Sequence, residues 1–361
     1  MRILRVAPWL YPDTKGGGQY HVHAMSRDQA AMGHDVTVLT TRVDESLPQI
    51  EETDGYTVVR VSPGVNILGN DVSPAVARYL WKQSGDFDVI HAHSHLYFVT
   101  NLAALTRRLG GPPLAITNHG LYSQSAPERL FRWYLKTLGR WTFNQADTVF
   151  CYTETDKQRV RDLGVTSRIE VVPNGVDTER FRSDGPVSER IDHDGYVVLF
   201  VGRLVEGKRP MDVIQAVSRL DDDIHLYICG DGPLRSELEA TAGPQVTFLG
   251  LVPHEEMPEV YRAADLLVLP SRAEGTPRTI MEALSTGVPV VCSDLPQVRS
   301  VFGECVRYTS KEDIEEIASA IKERIDADQA PTLSQELRWN QTVKKTTINL
   351  KYLTSLNEDK P

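Results

Sequence analysis

The sequence predicts an α/β fold of two doubly wound, Rossmann-like domains, and three observations carry the prediction. Short apolar runs rich in Val, Ile and Leu alternate with longer amphipathic segments over most of the chain. The runs show little period-2 alternation, as expected of parallel strands covered by helices on both faces. One polar, Gly-bearing stretch, RSDGPVSERIDHDG at 182–195, breaks the series and separates two parts of similar plan.

In the first part, strands are expected near 2–7, 35–40, 57–61, 87–92, 113–118, 147–152 and 169–172, with helices over 18–32, 128–145 and 155–163. In the second, strands are expected near 196–201, 224–229, 245–249, 265–270 and 288–292, with helices over 210–219, 234–242, 255–263 and 277–286. The domain reading is 1–182, a linker at 183–195, then 196–340, with 341–361 as a C-terminal segment. Ligands of open α/β sheets gather at the carboxyl ends of the strands. Two such domains facing a central cleft direct the search for chemistry to those ends.

Composition narrows the partners. The 361 residues are enough for two sizeable cores, with 41% hydrophobic and 24% charged residues. Lys and Arg number 39 against 49 Asp and Glu, a net charge of −10, which argues against nucleic acid on a broad basic face. The four cysteines, Cys151, Cys229, Cys292 and Cys305, form no Cys-x-x-Cys pair. Three lie in apolar runs and read as buried thiols of a reducing compartment, not zinc ligands. The opening MRILRVAPWLYPD lacks a secretory core, and runs such as VVLFV are too short to span a bilayer. The expectation is a cytoplasmic protein, or one peripheral on the cytoplasmic face of a membrane.

Three motifs carry chemistry. Gly16, Gly17 and Gly18 follow the first strand and lead into a helix, where free N–H groups and the positive dipole end suit a phosphate. The loop lacks both Gly-x-Gly-x-x-Gly and the Lys-Ser/Thr of a P-loop. In VVLFVGRLVEGKRP, Arg203 and Lys208 lie just past a strand end, where two cations suit a diphosphate and the bland alternative is a solvated loop pair. In SRAEGTPRTIMEALSTGVPVV, Glu274 sits in a loop and Glu282 on the following helix, with Pro277 suited to that helix's first turn. The backbone amides of Thr276, Arg278 and Thr279 then form an anion site, to which Pro277 adds no donor. Two carboxylates beside it point to sugar or ribose hydroxyls. A glycosidase-like acid–base pair, or a capping glutamate plus a surface one, are the alternatives.

Together these motifs resemble the family-4 glycosyltransferases, which have the GT-B fold. The matching stretches are GGGQYHVHAMSRDQAAMGHDVTVLT, DVIHAH, ITNHG, VVPNGVDTERF, VGRLVEGKRP, ICGDGPLRSEL, VTFLGLVPHEEMPEVYRAADLLVLPS and EGTPRTIMEALSTGVPVV, in the family's order. The resemblance implies transfer of a hexose from a UDP- or GDP-sugar to a glycan or lipid-linked acceptor, with retention of configuration and no metal or other cofactor. It implies that Gly16, Gly17 and Gly18 face the donor diphosphate and that Arg203 and Lys208 bind it. Glu274 would hold donor-sugar hydroxyls, Glu282 the ribose, and His119 of ITNHG would lie beside the sugar. The amides of the Thr276–Thr279 stretch would meet phosphate and sugar, and the base would lie near Leu251 and Val252. The last segment, RWNQTVKKTTINLKYL, is similar to the family helix that returns to the first domain. Thr-Pro follows Gly275 where many relatives have Phe-Gly, and Gln297 stands where a glutamate is common.

Asp221-Asp222-Asp223 precedes a strand and marks a turn, not a metal motif. His91, His93 and His95 share a face if their strand continues, a geometry open to zinc, although no carboxylate pattern supports it. Arg129, Arg132, Lys136 and Arg140 recur at helical spacing with Phe131, Trp133, Tyr134, Trp141 and Phe143 between them. Such a helix suits an anionic membrane, or is a packed helix with a solvated basic face. The rival functions are a nucleotide-sugar epimerase of the same fold, an NAD-dependent dehydrogenase, and a non-catalytic sugar-nucleotide-binding protein.

Overall fold

The computed structural model describes residues 1–361 except 68–69, 122–127, 311, 326–332 and 359–361. The chain divides into two compact units, Met1–Pro173 with Gln341–Pro361, and Asn174–Asn340.

The first unit holds β1 (Arg2–Val6), β2 (Asp35–Thr41), β3 (Ile50–Thr53), β4 (Tyr56–Val61), β5 (Val65–Ile67), β6 (Asn70–Val72), β7 (Val89–His93), β8 (Leu114–Thr117), β9 (Thr148–Cys151) and β10 (Arg168–Val171). Eight of them form one sheet in the order β10-β9-β8-β7-β1-β2-β4-β3, parallel except for β3, while β5 and β6 pair as a separate antiparallel ribbon. Both faces are buried. Ile3, Val89, Ala115 and Phe150 pack in one core with Val22, Leu350 and Leu353. Their neighbours Leu4, Ile90, Ile116 and Val149 pack in another with Val76, Val99 and Phe143. Covering on both sides is what removes the period-2 signal from these strands.

The second unit is a six-stranded, all-parallel sheet with a single hydrophobic core. Its strands are β11 (Tyr196–Val201), β12 (Ile224–Cys229), β13 (Val246–Gly250), β14 (Leu266–Leu269), β15 (Val290–Ser293) and β16 (Arg307–Thr309), in the order β13-β12-β11-β14-β15-β16. Strand order reverses between β11 and β14 here and between β1 and β7 in the first unit, the two positions where doubly wound sheets open a crevice.

The division falls at Pro173/Asn174, not at 182, and 183–195 is no free linker. Val176 and Phe181 are buried in the core of the second unit. The polar stretch that follows is tied to the same unit: the Ser188 amide donates to the Glu259 carbonyl at 3.1 Å and Arg262 Nε to the Pro186 carbonyl at 2.6 Å. Its polarity reflects a course over that unit's surface. Where the unit begins and ends, the two chain segments bond to each other, Val176 N to Leu337 O at 2.9 Å and Trp339 N to Val176 O at 2.8 Å. The last helix, Trp339–Glu358, belongs to the first unit from Gln341 onward. Thr342 Oγ1 donates to the Pro173 carbonyl at 2.8 Å, Gln29 Nε2 donates to Thr347 Oγ1 at 2.9 Å, and Arg168 lies over the Tyr352 ring at 4.5 Å.

Candidate functional site

In the second unit the candidate residues gather on the loops that leave β11 and β14. Gly202 and Arg203 follow β11 directly, and Leu204 is buried beneath the loop. The Gly-Asp-Gly turn after β12 packs tightly against it. A Cβ at Gly230, whose φ is 142°, would lie 1.9 Å from the Gly202 carbonyl oxygen, so only glycine fits. Glu206–Lys208 form a 3₁₀ turn, and the Arg272 amide donates to the Gly207 carbonyl at 2.9 Å, fastening the loop after β14 to that turn.

This fastening brings Lys208 and Glu274 together. Lys208 Nζ donates to Glu274 Oε1 at 2.5 Å, with side-chain exposures of only 17% and 7%. Gln297 Nε2 donates to the Glu274 carbonyl at 2.6 Å and holds the same loop from behind. Arg203 is exposed and has no ion-pair partner among the described residues. The helix Arg278–Ser285 starts one residue later than expected, because Pro277, extended at ψ 119°, is its N-cap and not part of its first turn. No side chain caps that helix, which leaves its first amides open. Thr276 is buried just before it, and its Oγ1 has no partner among the described residues. Glu282 is buried on the helix, where Oε2 accepts from Tyr261 Oη at 3.0 Å and Oε1 lies 3.5 Å from Arg278 Nε. Leu251 is exposed and Val252 partly so, just past Gly250. The unit thus places two cations, open helix amides and two fixed carboxylates around one sheet edge. That donor and acceptor set suits a diphosphate bearing hydroxylated groups.

In the first unit, Gly16 is the N-cap of the helix Gly17–Ala31, with no side-chain cap. A Cβ built on Gly18 meets nothing within 4 Å, so the backbone there has open space beside its α-carbon. Nearby strand ends carry a cluster of rings. His119 Nδ1 is 2.9 Å from Tyr152 Oη, and its Nε2 is 3.1 Å from His93 Nδ1. His21 meets His119 edge-on with ring centroids 5.3 Å apart. Burial pushes the His119 pKa down to about 4 and holds His91 and His93 well below the ordinary histidine range. His91 Nε2 pairs with Thr117 Oγ1 at 2.8 Å. Beneath lies Arg5, fully buried in β1, bonded to Ser26 Oγ at 2.8 Å and Gln29 Oε1 at 2.5 Å, with its pKa lowered by burial to about 9.

Several expectations are corrected. The three histidines of HAHSH do not share a face. β7 ends at His93, Ser94 takes a left-handed φ of 65°, and His95 turns away to stack on Phe143 at 4.6 Å. Among the described residues no group of three His, Cys, Asp or Glu is placed to hold a metal ion. The stretch 128–145 is helical but contains a π-helical turn at Leu135–Gly139. Arg129, Arg132, Lys136 and Arg140 are exposed on it, yet of its aromatic residues Trp133 alone is, at 65%. Phe143 is buried, and Tyr134 Oη donates to the His95 carbonyl. Asp221–Asp223 form a turn, as the sequence led one to expect, closed by Ile224 N to Asp221 O at 3.1 Å. Sequence reasoning passed over Tyr152, noted Gln297 without giving it a role, and weighed His93 only as part of a zinc face. Tyr152 had no signal beyond lying at a strand end.

Residues 15–180 match the family model described as Glycosyltransferase Family 4, and residues 195–327 the one described as Glycosyl transferases group 1. The chain is 29% identical to the phosphatidyl-myo-inositol mannosyltransferase of Mycobacterium leprae, over 84% of this chain and 81% of that one. It is 29% identical to the UDP-Gal:alpha-D-GlcNAc-diphosphoundecaprenol alpha-1,3-galactosyltransferase of Escherichia coli, over 63% of each. Among solved structures, sucrose-phosphate synthase from Thermosynechococcus elongatus superposes with a TM-score of 0.83 at 19% identity, over 98% of this chain and 99% of that one. Two family models that between them take in most of the residues, and a GT-B likeness over nearly the full length, agree: the chain is a glycosyltransferase of family 4 with the two Rossmann-like domains of the GT-B fold.

Proposed function

We propose that this glycosyltransferase moves a hexose from a UDP- or GDP-sugar to a lipid-linked or other glycan acceptor, with retention of configuration and without a metal ion. The observation that carries the reading is the Lys208–Glu274 pair, fixed between the β11 loop that also carries Arg203 and the loop that leads into the uncapped Arg278–Ser285 helix, where strand order reverses. As the bond from sugar to diphosphate breaks, the sugar becomes oxocarbenium-like and negative charge grows on the phosphate. Arg203, Lys208 and the helix amides stabilise that charge in place of a divalent cation, each fixed charge about 4 Å away contributing roughly 4 kcal/mol at an effective dielectric near 20. The departing phosphate takes the proton of the attacking hydroxyl. Glu274 orients sugar hydroxyls and does not attack; Glu282 holds the ribose, and Leu251 and Val252 flank the base. The family resemblance assigns Gly16–Gly18 to the diphosphate and His119 to the sugar. The relatives' names, which cite phosphatidyl-myo-inositol and a diphosphoundecaprenol-linked sugar, support an acceptor carried on a lipid.

The test is transfer by Glu274→Ala and Lys208→Ala proteins. Each is expected to lose roughly 10²–10³-fold in rate, the scale for removing one preorganised charge-stabilising group. Near-native rates in both would refute the assignment. Donor consumption without any acceptor would support the epimerase instead.

A second reading, attachment to an anionic membrane at the cytoplasmic face, has its own support. The helical stretches 74–83, 98–108 and 128–145 hold eight Lys and Arg and one acidic residue, Glu128, in a chain of net charge −10. Trp81 and Trp133 are 77% and 65% exposed on them. Among the described residues no helix is long and apolar enough to cross a membrane. Co-sedimentation with vesicles should require anionic lipid and should fall when Arg129, Arg132 and Lys136 become Glu, each basic residue contributing about 1 kcal/mol near the surface. Binding indifferent to lipid charge would count against it.

A further inference from the structure

We propose that His93 and Tyr152 are positioning residues: a hydrogen-bonded chain Tyr152–His119–His93 fixes the plane of the His119 ring and forces both imidazoles into the same tautomer. The functional consequence rests on His119 working beside the donor sugar; the chain itself does not.

The three groups come from the ends of three neighbouring strands. His93 closes β7, His119 lies two residues past the end of β8, and Tyr152 follows β9. In the sheet these strands lie side by side. His93 and Tyr152 are 2% and 6% exposed, so water does not compete freely for their polar atoms. Both nitrogens of His119 are engaged, Nδ1 with Tyr152 Oη at 2.9 Å and Nε2 with His93 Nδ1 at 3.1 Å. The His21 ring set edge-on at 5.3 Å restricts rotation of the His119 ring.

Burial keeps these rings neutral, and the Arg5 guanidinium beneath adds a positive charge that opposes protonation of His91 and His93. A neutral imidazole carries one N–H and one bare nitrogen. Across the 3.1 Å contact one nitrogen must donate and the other accept. If His119 donates through Nε2–H, its Nδ1 accepts from the phenol, and His93 has a bare Nδ1 and a proton on Nε2. If His93 donates through Nδ1–H, His119 carries its proton on Nδ1 and gives it to the phenol oxygen. In the first case both rings are Nε2–H, in the second both are Nδ1–H. A mixed pair would set two N–H groups, or two lone pairs, against each other. A ring held this way meets a substrate without reorganising, and a misplacement of about 1 Å can cost up to about 100-fold in rate.

The test is long-range ¹H–¹⁵N correlation on the full chain labelled with ¹⁵N-histidine at neutral pH, which reads the tautomer of each ring. His93 and His119 should show the same tautomer. Tyr152→Phe and His93→Leu should each change the tautomer ratio of His119. His93→Asn, whose amide can donate or accept at the Nδ1 position, should bring the His119 tautomer ratio back towards that of the unaltered protein. In a transfer assay His93→Leu should lower kcat with little change in the donor KM, and His93→Asn should recover most of it. Opposite tautomers in the unaltered protein would overturn the proposal, as would a His119 pattern untouched by both Tyr152→Phe and His93→Leu. The unaltered protein decides the first point even if a variant fails to fold. If the tautomers match but His119→Ala transfers sugar at the full rate, the chain stands and the role of His119 in the site falls.

Discussion

Replacing Lys208 with Met removes a charge from a largely buried ion pair in the candidate site. Lys208 Nζ and Glu274 Oε1 lie 2.5 Å apart, with exposures of 17% and 7%. Glu274 has its backbone carbonyl held by Gln297 and its loop fastened through Arg272 to the turn carrying Lys208, so it has little freedom to swing into water. Breaking such a pair from one side leaves an uncompensated carboxylate and costs about 3–5 kcal/mol; some exposure of the lysine places this case at the lower end, about 3 kcal/mol. In a unit of this size each kcal/mol shifts Tm by roughly 2–4 °C, so Lys208→Met should melt roughly 6–12 °C lower. Removing both charges, as Lys208→Met with Glu274→Gln, should recover most of that loss, because the desolvation cost disappears with the pair. Calorimetry or urea unfolding of the four proteins in the cycle reads this directly. A single variant as stable as the parent, or a double variant no better than Lys208→Met, would refute the reasoning.

Two further outcomes are expected. Burial lowers the folded-state pKa values of His91 and His93, and takes His119 to about 4 and His95 to about 3, all below the ordinary 6.5. Because the unfolded chain binds more protons between those values, the stability these rings contribute is complete above about pH 6.5 and declines as pH falls towards the folded values. Urea unfolding of the first unit should therefore weaken from pH 7 to pH 5, by roughly 1.4 kcal/mol per pH unit for each histidine at most; an unchanged midpoint would contradict this. Cysteine reactivity should be sharply divided. Cys151, Cys229 and Cys292 are buried, with thiol pKa values pushed up to about 12 for Cys151 and about 11 for Cys229, and raised for Cys292 as well, whereas Cys305 is exposed. A thiol reagent should modify one cysteine in the folded protein and all four in urea, and fast labelling of Cys292 in the native state would count against this core.

The two sheets were legible because most of their strands are covered on both faces and read as unbroken apolar runs. The edge strand β3, with the sequence IEET, carries two charges and alternates in exposure, and the three-residue β16 is too short to give a pattern. The domain boundary was misplaced because polarity marks surface, not freedom. What decides it is the burial of Val176 and Phe181, a long-range contact that no local window contains. Arg203, Lys208, Glu274 and Glu282 could be picked out since each lies on the segment leaving a recognisable strand. That Lys208 bonds Glu274 across 66 residues could not, and neither could the histidine chain, whose members belong to three separate strand ends. The same limit applies to HAHSH, where a single left-handed residue, Ser94, breaks the face that the spacing proposed.

The central claim is that the loops after β11 and β14 grip the diphosphate of a nucleotide sugar, and a thermal-shift panel of UDP, GDP and ADP with their sugars tests it most directly. One nucleoside diphosphate and its sugar, held at about 100 times their dissociation constants, should stabilise the protein by roughly 2.7 kcal/mol, and Arg203→Ala should need a far higher concentration for the same shift. No stabilisation by any of them at millimolar concentration, or a shift that Arg203→Ala leaves untouched, would contradict the account.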